Sequence, residues 1–493
     1  MMKIKLLNIK WLLVYTFCGF TACHTTASNK DDSPVNIIWI VADDYSPDAG
    51  CYGNEVVSTP NIDQLAAKGR LYKNAFATNP VCSPSRSAFY TGMYQTTIGA
   101  HQHRTENVKP LPGPVKMITH YFREKGYFTS NGNGYPNSDE GKTDFNFEPE
   151  GEAFDGSDWS QRAQGQPFFA SVQIHYPHRV FEEDTLNPVE SNEVNIPPYY
   201  PDHPLTREDW SRYLESVQLM DRRVGQVLQR LEEEGLTENT AIFFFADQGR
   251  PMVRAKQWLY EGGIKVPLIV KLPSGIDPGT VSDELISLID ISAASLAVAG
   301  IDIPEHLQGQ NFLVEDVDRD YIFAARNRTD AVVDYIRCVR DQRFKYIKNF
   351  MPEKPYMQFG HYKAYRYPIY TLLKVLHQKG ELTPAQAKLM AEQKPPEELY
   401  DLQNDPYELN NLAEDPAYQQ QLKRMRDQLE QWMVSTNDKG DYDPDNMEAL
   451  QKRRWEKYGS RWQSRGIDPE NINWESYLQW WEQKLLTENQ GEK

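Results

Sequence analysis

Between residues 35 and 300 the chain alternates two kinds of apolar segment. Val35–Ala42 (VNIIWIVA), Pro167–Ile174 (PFFASVQI), Ala241–Ala246 (AIFFFA) and Val266–Leu272 are short, unbroken runs rich in β-branched and aromatic residues. Such runs are expected of strands buried on both faces. Between them, Asn61–Gly69, Val115–Lys125, Arg207–Glu234 and Ile291–Ala299 have helical periodicity, with glycines at or just past their ends. A further helix is expected to open in VCSPSRSAFYTG (81–92), because Pro84 suits a first helical turn. Strands alternating with helices predict an α/β fold, a large mixed, mostly parallel sheet sandwiched by helices. Three strands run directly into polar residues: Asp43-Asp44, His175 to His178, and Asp247-Gln248. Ligands bind beyond the carboxyl ends of strands in such sheets, so these distant segments predict one pocket.

Past about residue 315 the texture changes. Tyr321–Ala325 and Tyr335–Tyr346 read as strands of a smaller antiparallel sheet, and Tyr418–Val434 reads as a helix. Together they predict a C-terminal α+β subdomain. The last stretch is rich in Trp, Asp and Lys. Its Trp455, Trp462, Trp474, Trp480 and Trp481 fit either stacking on sugar rings or packing on the main domain.

The net charge of −17 leaves no basic excess to neutralise phosphates, which argues against nucleic acid as a partner. An anionic substrate would need a local basic pocket on this acidic background. At the N-terminus, Lys3, Lys5 and Lys10 precede and flank an apolar run, Trp11 to Phe20, too short to span a membrane and suited to a signal peptide. It ends in Phe-Thr-Ala-Cys23 followed by a polar stretch, which resembles a bacterial lipoprotein signal with Cys23 as the lipidated residue. Ordinary cleavage nearby is the other reading. Both make the protein exported, to the periplasm or cell envelope, and the first adds a membrane anchor.

Of five cysteines, Cys51, Cys82 and Cys338 remain beyond that leader, too few and too scattered for a disulfide scaffold or a Cys-type metal site. Cys82 stands out. The free amides of a helix start attract an anion, and Arg86 one turn on adds a fixed positive fork. A buried structural thiol is the alternative. Asp43, Asp44 and Asp247 are hard oxygen ligands and Gln248 offers a carbonyl, a set suited to a divalent cation such as Ca²⁺, although an acidic pair after a strand also serves as a helix cap. His178, Lys142 and Lys256 each read either as ordinary loop residues or as the basic lining of the pocket.

CSPSR fits the C-x-P-S-R motif of type I sulfatases, within the alkaline phosphatase-like superfamily. IIWIVADD, STPNIDQLAAKG, FFFADQG, RAKQWLYEGGIKVPLIV and ELYDLQNDPYELNNL resemble further landmarks of that family, in its order, over about residues 35–415. Among sulfatases, IHYPHR and the Lys256 segment look most like the sulfamidase (N-sulfoglucosamine sulfohydrolase) branch. The resemblance implies that a separate maturase oxidises Cys82 to formylglycine. It implies that Asp43, Asp44, Asp247 and Gln248, with residue 82, hold one Ca²⁺, and that Arg86, Lys142, His178 and Lys256 are the basic active-site residues. Two departures stand out: Gln248 replaces the commoner Asn or His, and Asp144 stands where a His is common. The implied chemistry hydrates the aldehyde at residue 82 to a gem-diol. One hydroxyl attacks sulfur, and the other then expels sulfate. Arg86, Lys142, Lys256 and the metal stabilise the sulfate oxygens, and His178 or Lys256 protonates the departing sugar atom.

These readings divide the chain into a signal peptide (1–23), a tether (24–34), a sulfatase catalytic domain (35–315), a C-terminal subdomain (316–435) and an extension packing on the surface (436–493). The expected activity is hydrolysis of sulfate esters on sulfated carbohydrates, of algal ulvan or carrageenan type or glycosaminoglycans. The alternatives are an N-sulfoglucosamine sulfamidase, a phosphoester hydrolase of the same superfamily, and a non-catalytic lipoprotein that binds sulfated glycans.

Overall fold

The computed structural model describes residues 34–136, 138–273, 278–314, 319–438 and 447–487. The charged leader, its apolar run and Cys23 lie outside the described residues. From Pro34 onward the chain forms one compact unit.

Among the described residues the central sheet has seven strands: β1 (Asn36–Ala42), β2 (Arg70–Phe76), β3 (Phe128–Gly132), β4 (Phe168–Ile174), β5 (Thr240–Ala246), β6 (Lys265–Lys271) and β7 (Thr280–Ser287). Their order is β3-β4-β1-β5-β6-β2-β7. β3, β4, β1 and β5 run parallel, β6 is antiparallel to both its neighbours, and β2 and β7 are parallel. β1, β4 and β5 are buried at every position, as their unbroken apolar runs require. β3 (FTSNG) lacked that signal because its buried positions hold small and polar residues, its outer edge being covered by residues 155 and 156, and β7 (TVSDELIS) lacked it because its first half is largely exposed at the other edge. The register positions the site. Ala42 lies level with Ile174 on one side and Ala246 on the other. The residues after all three strands therefore leave the sheet at the same height.

The principal helices are α1 (Pro60–Lys68), α2 (Cys82–Thr91), α3 (Ile118–Glu124), α4 (Pro204–Glu233), α5 (Asp290–Val298), α6 (His361–Arg366), α7 (Pro368–Lys379), α8 (Gln419–Ser435), α9 (Met447–Ser464) and α10 (Trp474–Glu482). α3 is shorter than the apolar pattern from Val115 predicts, because the Val115 N–H turns back to the Pro112 carbonyl before the helix begins. α4 starts earlier than expected. Pro204 occupies its first position, and His203 Nδ1 accepts the Leu205 N–H at 3.2 Å. α2 ends at Gly92, whose φ of 65° suits glycine, and a Cβ there would meet Leu307 at 2.9 Å.

The second sheet comprises β8 (Ile322–Arg326), β9 (Ile336–Arg340), β10 (Phe344–Asn349) and β11 (Glu397–Asp401), antiparallel in that order. The 335–346 segment divides in two because Asp341 Oδ1 accepts the N–H groups of Arg343 and Phe344 and turns the chain. α9 packs on α6, and α10 packs on α7. Trp462 meets Tyr365 edge-on at 5.2 Å and donates to His361, Trp474 packs by Tyr370, and Trp480 and Trp481 flank the Arg465 guanidinium. These four tryptophans pack on the main body, while Trp455 is partly exposed. No helix among the described residues is long and apolar enough to cross a membrane.

Candidate active site

Asp43 and Asp44 follow β1, Asp247 and Gln248 follow β5, and Cys82 is the first residue of α2. Backbone bonds fasten the strand ends together: Asp43 N–H to the Ile174 carbonyl and Asp247 N–H to the Ala42 carbonyl, both at 3.1 Å. Asp44 takes a φ of 64°, and its N–H donates to Asp247 Oδ1 at 3.1 Å. This kink turns the Asp44 carboxylate toward α2. Ser85 in α2 donates to the Asp247 carbonyl, which ties the helix start to the same strand end.

The carboxylates surround Cys82. Its Sγ lies 3.7 Å from Asp43 Oδ1, 3.8 Å from Asp44 Oδ1, 3.2 Å from Gln248 Nε2 and 3.5 Å from Lys256 Nζ. Lys256 donates to both Asp44 oxygens at 2.6 Å, and Lys142 donates to both Asp43 oxygens at 2.8–2.9 Å. Arg86 donates through Nε to Asp247 Oδ2 at 2.9 Å and through a terminal nitrogen to Gln173 at 2.6 Å. His178 Nδ1 lies 2.7 Å from the Arg179 carbonyl and so carries a proton, while Nε2 faces Asp44 at 3.7 Å. Every candidate among the described residues thus falls in one cluster at the strand ends: Cys82, Arg86, Lys142, His178, Lys256, Asp43, Asp44, Asp247 and Gln248.

Burial and charge act against each other here. Burial raises Asp43, but Lys142, His178, Arg86 and Lys256 outweigh it and hold that carboxyl well below its ordinary range. Burial and the neighbouring Asp43 push Asp247 up. Burial opposes the charge on Lys142 and Lys256, but Asp43 and Asp44 prevail and keep both ammonium groups protonated. Burial brings His178 down to about 4 although Asp44 opposes it. Burial pushes the Cys82 thiol up to about 12 against the pull of Lys142 and Lys256. An unmodified Cys82 is therefore a neutral thiol at pH 7 and a weak nucleophile.

The donor set fits a hard divalent cation. Asp43, Asp44 and Cys82 offer ligand atoms within 4.8 Å of one another. Gln248 Oε1 is buried with no hydrogen-bond partner among the described residues, while its Nε2 faces Asp44 and Cys82. Turning that amide over exchanges the two atoms and directs the orphaned oxygen to the side where a cation would meet the carboxylates.

Asp144 is turned toward Arg104. It takes a φ of 53° and binds Arg104 through both carboxylate oxygens at 2.9 Å, holding that guanidinium beside the pocket. Gln173, which anchors Arg86, went unread in the sequence. Its signal was a long polar side chain inside an otherwise apolar buried strand. Arg104, Tyr362 and Arg366 also line the cavity over Cys82, and no local motif marks them.

A family model described as "Sulfatase" matches residues 35–301, and one described as "N-sulphoglucosamine sulphohydrolase, C-terminal" matches residues 252–359. The chain is 34% identical to an ulvan-active sulfatase of Formosa agariphila, covering 89% of this chain and 83% of that protein. It is 26% identical to human N-sulphoglucosamine sulphohydrolase, over 82% of this chain and 91% of the relative. Its fold is similar to that of a phosphonate monoester hydrolase of Agrobacterium radiobacter, with a TM-score of 0.59 at 18% identity, covering 82% of this chain and 96% of that one.

Proposed function

The chain belongs to the sulfatase family, and from that premise we propose that it hydrolyses sulfate esters of sulfated carbohydrates, such as ulvan-type or glycosaminoglycan chains, with residue 82 matured to formylglycine. The observation that carries this reading is Cys82 itself. It heads α2, buried, within reach of three cations' worth of basic side chains and of the Asp43, Asp44 and Gln248 donors. As a thiol it is poorly ionised there. Conversion to an aldehyde by a maturase would supply an electrophilic carbon that takes up water, which the thiol cannot do. A bound divalent cation, Ca²⁺ in this reading, would be held by Asp43, Asp44, Asp247, Gln248 and residue 82, and would supply Lewis acidity toward a sulfate oxygen.

The remaining chemistry belongs to the side chains. Arg86, Lys142 and Lys256 hold the sulfate oxygens and stabilise charge on them as the S–O bond breaks. Arg86 is oriented by Asp247 and Gln173, so its fork is preset. Asp247, with its raised proton affinity, is the carboxylate at this end of α2 best suited to act as a base. The sugar oxygen leaves with a proton supplied from the pocket side by Lys256, which Asp44 keeps protonated; His178, whose one proton at pH 7 sits on Nδ1 toward the Arg179 carbonyl, is the alternative donor once Nε2 takes up a proton. The sugar keeps its own oxygen; water supplies the proton that completes the sugar hydroxyl and the fourth oxygen of the released sulfate, and its second proton leaves to solvent. The leader reads as an export signal with Cys23 as a lipid anchor, which would place this activity in the cell envelope, where large polysaccharides are accessible.

The test is intact peptide mass spectrometry across residue 82 after co-expression with a formylglycine maturase, followed by sulfate release assays. A peptide about 18 Da lighter, together with sulfate release from O-sulfated oligosaccharides, is the expected result. An unchanged Cys82 beside a working maturase control would favour the glycan-binding lipoprotein instead. A second reading, removal of N-sulfate, is supported by the match of residues 252–359 to the C-terminal region of N-sulphoglucosamine sulphohydrolase. Parallel assays on N-sulfated, O-sulfated and phosphorylated sugars separate these activities.

A further inference from the structure

A cavity of about 220 Å³ opens over Cys82, and one of its walls is α9. Arg454, Lys457 and Arg461 all line it. Their spacing of three and four residues puts them on one face of the helix, spread over about 10 Å. Arg454 is neutralised by Asp330 at 2.5 Å, and Asp330 is the one carboxylate lining this cavity among the described residues. Lys457 and Arg461 have no ion-pair partner among the described residues, and neither has Arg366, which lines the cavity from α6. Both α9 cations lean over the Tyr458 ring, at 5.7 and 5.6 Å. That ring is buried and stacked on His361, so it supports their stems beside the opening. Three unneutralised cations gathered at one opening of a chain with a net charge of −17 are a local inversion of sign. α9 lies beyond the residues matched by the two family models.

We propose that α9 forms an anion subsite: Lys457 and Arg461, with Arg366, bind a second oxyanion, a carboxylate or another sulfate, on the same saccharide whose sulfate enters the Cys82 centre. The substrate is then a polyanionic chain rather than a singly sulfated sugar. This rests on the sulfatase reading of the centre, and the experiment separates the two.

The matured full-length protein is assayed on 4-nitrophenyl sulfate and on a sulfated, uronate-containing tetrasaccharide. The unmatured protein is titrated calorimetrically with the same tetrasaccharide. The K457A/R461A variant is expected to lower kcat/KM on the tetrasaccharide about ten- to a hundredfold, mainly through KM, and to weaken its calorimetric Kd by the same factor. The loss on the aryl sulfate is expected to be about tenfold smaller, and K457R/R461K should recover most of the binding. Carboxyl-reduced and partly desulfated tetrasaccharides identify which oxyanion α9 holds. Equal Kd values for wild type and variant overturn the proposal, whether or not sulfate is released. Equal losses on both substrates also overturn it, because they indicate a structural role. Binding that depends on Lys457 and Arg461 without any sulfate release overturns the sulfatase reading and leaves the subsite standing.

Discussion

Arg86 and Lys142 both face the carboxylates around Cys82, but they are embedded differently. Arg86 is fully buried between Asp247 and Gln173, whereas a quarter of the Lys142 side chain is exposed. Arg86→Ala would strand Asp247 without its partner, so stability should fall by about 3–5 kcal/mol together with turnover. Lys142→Ala should lower kcat/KM about a hundredfold with a smaller loss of stability than Arg86→Ala, because Lys142 is partly exposed and Arg86 still faces Asp43. Kinetics and urea unfolding on both variants check this, and a Lys142→Ala enzyme within about threefold of wild type would remove Lys142 from the centre. At this scale the residues that gather around Cys82 were legible because most of them sit in short motifs directly after a strand or at the opening of a helix. Asp144 and Gln173 were not, because their roles come from partners, Arg104 and Arg86, that are distant in sequence.

Among the elements, α4 is fastened to the β3 side of the sheet by one ion pair. Arg230 reaches Asp158 through two nitrogens, at 2.7 and 2.9 Å, and stacks over Trp159 at 3.8 Å. Asp158 also caps the turn at Trp159–Gln161 through the Ser160 N–H. Burial raises the Asp158 carboxyl, but Arg230 and Ser160 outweigh it and hold it below the ordinary carboxylate range. A depressed carboxyl contributes stability that is present above about pH 4 and is lost as pH falls through its folded value. Asp158→Asn should therefore lower Tm at pH 7 and narrow its gap from wild type as the pH drops below about 4, by thermal scans at several pH values. A constant gap would mean that Asp158 does not titrate against Arg230. The buried strands were readable as unbroken apolar runs. The edge strands β3 and β7 were not: β3 buries small and polar residues that carry no apolar run, and the first half of β7 is largely exposed.

For the whole molecule, the helices after residue 447 are part of the fold. They bury Tyr458, Trp462, Tyr477, Leu478 and Trp481 against the main body. At about 1.5–3 kcal/mol for each large apolar side chain, that contribution is comparable to the roughly 5–15 kcal/mol by which a protein of ordinary stability stays folded. A chain ending at residue 438 should lose its cooperative thermal transition or show it at a much lower Tm, and should bind a hydrophobic dye. An unchanged Tm would make α9 and α10 dispensable attachments.

The strand ends, the helix opening at Cys82 and the donor chemistry were all readable along the chain, because periodicity, turn residues and ligand type are local properties. The level register that brings residues 43, 82, 178 and 247 within a few ångströms of one another, the pairing of each lysine with its carboxylate, and the turning of the basic face of α9 toward the Cys82 cavity depend on contacts between segments tens to hundreds of residues apart. Those contacts are set by how layers pack, and no local pattern encodes them.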